Sequence, residues 1–326
     1  MSETVLVTGG AGYIGSQACK SLARAGYRPV AYDSLIRGHR EAVRWGPFVD
    51  ADLADFERLA DAFKRFDVRA VMHFAAFTYV GESMTNPELY FRNNAYNSLR
   101  LLEAMRTAGV RHIVFSSTAA IYGNPDRVPI PESALQRPVN PYGESKLMVE
   151  RMLHWYGAAH GLTYAALRYF NAAGADIDGE IGEDHEPETH LIPLVLQAAM
   201  GRRPRIDVFG TDYPTPDGTA IRDYIHVQDL ADAHVKALAH LLRGGGSLAL
   251  NLGTGEGHSV REVIAAAERV TGRPIPRRET GRRPGDPPVL VAEASRTREL
   301  LGWVPTLSAL DTILASAWAW HNRRMA

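Results

Sequence analysis

Thr4-Val5-Leu6-Val7-Thr8-Gly9-Gly10-Ala11-Gly12-Tyr13-Ile14-Gly15 is the stretch from which the rest of the chain can be read. Its first five residues form a short apolar run with β-branched character, the pattern of a strand buried on both faces. The glycines then break the strand, and an apolar-periodic helix follows to about Ala25. Each glycine has its own physical task. Gly9 permits a tight turn, Gly12 lets the backbone approach a pyrophosphate, and Gly15 lets the helix lie close to the sheet. A diphosphate would sit on the unpaired N–H groups at the helix start. The spacing is G-x-x-G-x-x-G, a loose match to the usual G-x-G-x-x-G.

Strand and helix then alternate. Arg28–Tyr32 reads as a second strand ending at Asp33, and Pro47–Asp50, Ala70–Phe74, His112–Ser116 and Tyr164–Arg168 read as four more. Helices are expected near Asp55–Phe66, Pro87–Ala108 and Pro141–His160. This order requires right-handed crossovers and a Rossmann-type, doubly wound parallel α/β sheet. Asp33 is placed to accept hydrogen bonds from adenosine ribose hydroxyls, and its charge would repel a 2′-phosphate, favouring NAD over NADP. Arg37 and Arg40 read as solvated loop arginines. Asp52 falls where an adenine would lie. The small residues of His73-Phe74-Ala75-Ala76 allow a cofactor against the backbone, with His73 itself a core histidine. In Ser116-Ser117-Thr118, Thr118 is the hydroxyl chosen to share a substrate proton, while turn formation serves equally well for the two serines.

Asn140-Pro141-Tyr142-Gly143-Glu144-Ser145-Lys146 carries the chemistry. Asn140 can cap a helix whose first residue is Pro141. Tyr142 and Lys146 are then i,i+4 neighbours on one face. A cation beside a phenol favours the phenolate, so the pKa should fall from about 10. Such a phenol can take a proton from a sugar hydroxyl while a cofactor takes the hydride.

With these residues assembled, the chain resembles the extended short-chain dehydrogenase/reductases, and within them the UDP-glucose 4-epimerases. The resemblance runs through Val7–Ser16, His73–Ala76, Val80-Gly81-Glu82-Ser83, Asn140–Glu150, Arg168-Tyr169-Phe170-Asn171, Phe209–Thr215 and Asp217–Val227. Phe209–Val227 is its most specific part. It implies NAD-dependent inversion at C4 of a UDP-sugar through a 4-keto intermediate, with Tyr142, Lys146 and Thr118 catalytic. It implies NAD held by Gly9, Gly12, Tyr13, Ile14, Asp33, Ser34, Leu35, Ile36, Arg37, Gly38, Asp52, Leu53, Phe74, Ala75, Ala76, Thr78, Asn93, Ser116, Tyr142, Lys146 and Phe170. It implies UDP-sugar contacts from Thr118, Tyr142, Asn171, His190, Leu191, Val208, Phe209, Arg222, Arg283, Asp286 and Leu290, with no metal. Arg222 and Arg283 also suit a diphosphate on physical grounds, because a guanidinium fork matches phosphate oxygens.

Three positions depart from the family pattern. Thr78 stands where a lysine often contacts the cofactor, and His190 where many relatives have asparagine. Leu290 replaces a bulky tyrosine found in some relatives, which leaves room for an N-acetyl group. UDP-GlcNAc/GalNAc is therefore an alternative substrate, and the pentose pair UDP-xylose/arabinose is a separate alternative. A related 4,6-dehydratase would carry an Asp-Glu pair after the threonine, where this chain has Ala119 and Ala120. A net reductase would consume NADH, and a non-catalytic NAD sensor would have no use for the Tyr142/Lys146 pair.

At 326 residues the chain exceeds one ordinary domain. The expected division is residues 1–171 with returning segments about 222–255, interleaved with a smaller mixed α/β substrate lobe over 172–326. In that second part Asp176–Glu188 reads as an acidic loop. Leu191–Met200 and Asp229–Leu242 read as helices, and Arg222–Val227 and Leu248–Leu252 as strands. A 45% hydrophobic, 22% charged composition with net charge −1 gives no support to nucleic-acid or membrane binding. Arg277, Arg278, Arg282 and Arg283 lack the interleaved aromatics of a nucleic-acid surface. A single Cys19, no charged-then-apolar leader and no long apolar run favour the cytoplasm. The Pro87–Ala108 and Pro141–His160 helices are expected to pair in a homodimer, as in the family.

Overall fold

The computed structural model describes residues 2–283 and 286–323. Its centre is a seven-stranded parallel sheet. Six strands are β1 (Thr4–Thr8), β2 (Arg28–Asp33), β3 (Phe48–Asp50), β4 (Val68–His73), β5 (His112–Thr118) and β6 (Thr163–Tyr169). Leu248–Leu252 returns from the second half of the chain to pair with β6. Across the sheet the order is Leu248–Leu252, β6, β5, β4, β1, β2, β3. The chain therefore winds one way from β1 to β3 and the other way from β4, and Thr8 pairs with His73 where the direction switches.

The two-residue alternation of side chains builds a core on each face. Leu6, Val30, Ile113 and Phe115 face the helices Phe56–Arg65, Asn97–Ala108 and Pro141–His160. Val5, Val7, Met72, Val114 and Leu167 face Tyr13–Arg24 and Val227–Leu242, with Trp303 closing that side. A third apolar cluster joins the helices Leu191–Ala199, Val260–Thr271 and Leu310–Arg323. Among the described residues, no helix is long and apolar enough to cross a membrane.

The helix expected over Pro87–Ala108 is not one regular helix. Pro87–Tyr90 and Asn97–Ala108 are α-helical, but Phe91–Tyr96 between them is π-helical. The extra residue buries Asn94, whose amide accepts from Phe77 N at 2.8 Å and donates to Phe77 O at 2.9 Å and Ser145 Oγ at 3.0 Å. The strand expected over Arg222–Val227 also divides. Ile221–Arg222 pairs with His258–Ser259 and Val289–Leu290, whereas Tyr224–His226 pairs with Asn171–Ala173. Asp223 marks the break, since its carboxylate accepts from the backbone N–H groups of Thr254, Gly255 and Ala292.

A buried cation ties the two halves together. Lys20, on the helix after the glycine turn, donates to Asp176 at 2.7 Å, Asp178 at 2.8 Å and Glu180. Its side chain is 2% exposed, and Asp176 is fully buried. Removing one partner from a buried charge cluster leaves the others uncompensated, at a cost of about 3 kcal/mol. Lys20→Met is therefore expected to lower unfolding stability by about that amount in urea titration; an unchanged midpoint would show that this clamp contributes nothing.

Candidate active site

A cleft of about 470 Å³ opens at the C-terminal ends of the strands, at the switch between β1 and β4. Its floor is the glycine turn. Gly9 has φ +74°, and a Cβ there would lie 2.6 Å from Ala75 N. A Cβ at Gly15 would lie 2.0 Å from the Gly9 carbonyl oxygen, so only glycine lets the helix start this near the strand end. No side chain caps the helix beginning at Tyr13. Its first N–H groups are thus suited to an anionic ligand such as a diphosphate.

Asp33 ends β2 at the cleft wall and accepts from Ala11 N at 3.0 Å and Leu35 N at 2.9 Å. An ionised carboxylate has about four acceptor positions, so capacity for ligand hydroxyls remains. Burial raises its pKa, opposed by those two N–H groups. Leu35 takes φ +57° to make its bond and stays off the cleft lining. Arg37 differs from its expected solvated state. It pairs with Glu82 at 3.2 Å and stacks on Tyr79 at 4.7 Å. Arg40 covers the Phe48 ring at 4.7 Å.

The Pro141–His160 helix starts as Asn140 and Pro141 predict. Asn140 Oδ1 accepts from Gly143 N at 2.8 Å, and Gly161 at φ +68° closes the other end. Tyr142 and Lys146 in its first two turns both face the cleft. The Tyr142 hydroxyl is hydrogen-bonded to Thr118, which ends β5 and also accepts from Ala120 N at 3.1 Å. Lys146 Nζ donates to the Ser116 carbonyl at 2.8 Å and lies 5.0 Å from the Phe115 ring centre. Here the electrostatics differ from the expectation. Burial raises the Tyr142 pKa despite the opposing Thr118 bond, and burial lowers the Lys146 pKa to about 7. In the ligand-free protein both groups favour their neutral forms.

The neighbouring strand ends are committed to structure. Ser98 Oγ donates to Asn94 O, so His73 Nε2 donates to Ser98 at 2.7 Å and Nδ1 accepts from Thr8 at 2.7 Å. Burial lowers the His73 pKa to about 3, as befits a core histidine. Ser117 donates to Glu150, which receives Arg168 in a bidentate pair at 3.0 and 2.6 Å. Ser116 bonds Tyr169, so neither serine serves a turn.

Across the cleft, Arg222 pairs with Asp286, and Asn171, Phe170 and Leu290 line the wall beside them. His190 also lines it, with Nδ1 2.8 Å from Glu183 and 3.1 Å from Glu188. Burial alone would lower its pKa, but these carboxylates raise it to about 10. Gly9, Gly12, Tyr13, Ile14, Ser34, Ile36, Gly38, Asp52, Leu53, Phe74, Ala75, Ala76, Thr78 and Asn93 share the same cleft. Arg283 lies 3.9 Å over the Phe209 ring in an adjoining pocket that shares Asp286 and Pro287. Leu191, Val208 and Phe209 stand off the main lining. Sequence reading missed Glu183, His185, Tyr79 and Glu82 as cleft residues. The Glu-x-His-x-x-Glu-x-His spacing over 183–190 was the available signal for the first two.

Residues 5–253 match the model of the NAD dependent epimerase/dehydratase family. The chain belongs to that family. It is 53% identical to a UDP-glucose 4-epimerase of Rhizobium leguminosarum bv. trifolii over 98% of both chains. Among solved structures it resembles UDP-glucose 4-epimerase from Brucella ovis in complex with NAD, at TM-score 0.96 and 53% identity, covering 97% of this chain and 98% of that one. It also resembles the Stenotrophomonas maltophila enzyme with bound NAD and formylated UDP-arabinopyranose, at TM-score 0.96 and 43% identity over the whole of both chains. The glycine cradle, the uncapped helix start and Asp33 fit the dinucleotide in the family's description.

The buried amine gives this family member a measurable signature. In the ligand-free protein Lys146 is expected to titrate near 7, charged below and neutral above. NMR of lysine side chains, assigned by the resonance lost in Lys146→Met, checks this; a midpoint near 10 would mean the amine is solvated.

Proposed function

We propose that the chain interconverts UDP-glucose and UDP-galactose by NAD-dependent epimerisation at C4, through a transient 4-keto sugar. The observation that carries this reading is the Tyr142–Thr118 hydroxyl pair, with Lys146 one helical turn on, at the wall of a cleft that begins on a dinucleotide cradle. The cofactor-binding set is Gly9, Gly12, Tyr13, Ile14, Asp33 through Gly38, Asp52, Leu53, Phe74 through Ala76, Thr78, Asn93, Ser116, Tyr142, Lys146 and Phe170. When bound, NAD supplies a hydride acceptor that later becomes the donor. Asn171, His190, Leu191, Val208, Phe209, Arg222, Arg283, Asp286 and Leu290 form the UDP-sugar set.

Tyr142 Oη, as phenolate, takes the proton of the C4 hydroxyl, and Thr118 Oγ1 shares that hydrogen bond. The ketose turns about its diphosphate tether, and Tyr142 returns the proton to an oxygen on the inverted centre. Burial disfavours a lone phenolate, so the ionised phenol depends on positive charge beside it. Lys146 supplies that charge from within the chain. The coupling is mutual: a phenolate raises the amine's pKa as the ammonium lowers the phenol's, and the two titrate as a pair. Ala119 and Ala120 border the cleft beside Thr118 and carry no acid to expel a C6 hydroxyl, which disfavours dehydration.

The lobes are read as 1–171 with 222–255 returning to it, interleaved with 172–326; the pairing of Leu248–Leu252 with β6 supports this division. A homodimer through the Pro87–Ala108 region and the Pro141–His160 helix is supported by exposed Tyr96, Met148 and Trp155. Galactose metabolism in the cytoplasm is the matching context. Use of an N-acetylated sugar is the second reading, drawn from Leu290 at the cleft wall.

Tyr142→Phe is expected to lower kcat by several orders of magnitude with NAD binding retained. Product analysis against a panel of UDP-sugars, without added NAD, tests both substrate readings. Near-normal turnover in the variant, or stoichiometric consumption of added NADH by the wild type, would overturn the mechanism. Trp155→Arg is expected to shift the protein from dimer to monomer in size-exclusion chromatography with light scattering. A wild-type protein that runs as a monomer would remove the dimer.

A further inference from the structure

Glu183-Asp184-His185-Glu186-Pro187-Glu188-Thr189-His190 folds so that four side chains from eight consecutive residues converge on one point. One donor atom from each of Glu183, His185, Glu188 and His190 lies within 4.8 Å of the other three. The separations measured between imidazole nitrogens and carboxylate oxygens are 3.2 and 3.8 Å for His185, and 2.8 and 3.1 Å for His190. A tetrahedral ion with bonds of about 2.0–2.1 Å has ligand–ligand edges of about 3.3 Å. Glu183 Oε1 faces both imidazoles, whereas Glu188 turns Oε2 to His185 and Oε1 to His190, and the spacings scatter about that edge.

A second observation points to the same place. His185 Nδ1 is buried and, among the described residues, has no hydrogen-bond partner, although Glu183 Oε1 is 3.2 Å away. Both glutamate side chains are under 10% exposed, and in the metal-free protein the two imidazoles, whose pKa values these carboxylates raise to about 9 and 10, balance their charge, so a divalent cation would enter by displacing both protons. Two neutral imidazoles, two carboxylates and one divalent cation sum to zero charge.

The frame around the cluster is fixed from outside it. Trp320 Nε1 donates to Glu183 O at 3.1 Å, and Tyr79 Oη donates to Pro187 O at 2.9 Å. Tyr13 and Tyr79 each meet the His185 ring edge-on at 87°. The other carboxylate group, Asp176, Asp178 and Glu180, differs in that Lys20 already fills it.

We infer that Glu183, His185, Glu188 and His190 form a binding site for one divalent transition-metal ion, with zinc the best match to an N₂O₂ tetrahedron. Magnesium and calcium are poorer matches because they need six or more oxygen ligands. The ion fixes the 183–190 segment as one wall of the cleft, bracing the second half of the chain against Tyr13 and Tyr79. Its part is structural and needs no sugar bound, although His190 also belongs to the proposed UDP-sugar set at the cleft wall.

The test uses the full chain, stripped with EDTA and exchanged into chelator-free buffer, then titrated with Zn²⁺ against a chromophoric competitor. One equivalent of zinc is expected to bind, to raise Tm, and to resist millimolar Mg²⁺. Co²⁺ in its place is expected to give the intense visible absorption of four-coordinate cobalt. Glu188→Gln keeps the side chain's shape, and the His185→Ala/His190→Asn double variant removes both nitrogens. Each should weaken zinc binding on the order of 100-fold or more, with far-UV circular dichroism unchanged. Glu180→Gln, in the acidic group held by Lys20, should bind zinc as the wild type does. No zinc uptake at micromolar concentration, a weak six-coordinate cobalt spectrum, or equal affinity in the Glu188→Gln variant would each overturn the site.

Discussion

The hydrogen bond from Lys146 Nζ to the Ser116 carbonyl, 2.8 Å long, fixes where chemistry can occur. It fastens the second turn of the Pro141–His160 helix to the C-terminal end of β5. Tyr142, one turn earlier, is thereby held beside Thr118 on the same strand. The bond does this because Lys146 is buried: away from competing water, the carbonyl is the amine's fixed partner. Burial has a second effect, since it favours the uncharged amine and the uncharged phenol together. Position and protonation therefore come from one packing decision.

Buried carboxylates play a comparable part where the halves of the chain meet. Asp223 accepts three backbone N–H groups and so ends one short strand and begins another in a different sheet. Asp229 accepts from Thr306 N and Leu307 N, and from Ser308 Oγ, docking the segment before the last helix. Lys20 gathers three acidic side chains against the helix that follows the glycine turn. Each of these groups replaces lost water with several directed hydrogen bonds, which makes the joint specific as well as stable. The cleft inherits its shape from these joints.

How much of this the sequence revealed depended on the range of the deciding interaction. The central strands were legible because a buried parallel strand needs a continuous apolar run, and Leu248–Leu252 was found with its observed bounds. The start of the Pro141–His160 helix was legible because Asn140 and Pro141 act locally, and the structure adds Gly161 at its far end. The π-helical turn was not legible: Asn94 is recruited by Phe77 and Ser145, far from it in sequence. Strand-end residues such as Asp33 and Thr118 could be named because the α/β topology sends strand ends to one edge, and Tyr142 because helical spacing sets it beside Lys146. Arg37 was read as solvated because its partner Glu82 lies 45 residues away. The sign of the Tyr142 shift was missed for a related reason, since helical spacing predicts a neighbour but not its desolvation.

The same burial explains how one cleft can serve a reaction with no net redox change. A C4 epimerase must return both the proton and the hydride that it removes, so neither can be allowed to escape midway. At the cleft wall Lys146 is buried on the Ser116 carbonyl, and Tyr142 is half-buried with Thr118 as its partner. In such a place, moving a proton from phenol to amine creates an ion pair from two neutral groups, at a cost that a nearby positive charge can offset. The pair is thus biased to keep its proton until substrate and cofactor supply the field that releases it. A solvated tyrosine–lysine pair would hold the same residues in the same order but would exchange protons freely with water. Depth below the surface, rather than the motif alone, is what suits this site to reversible chemistry.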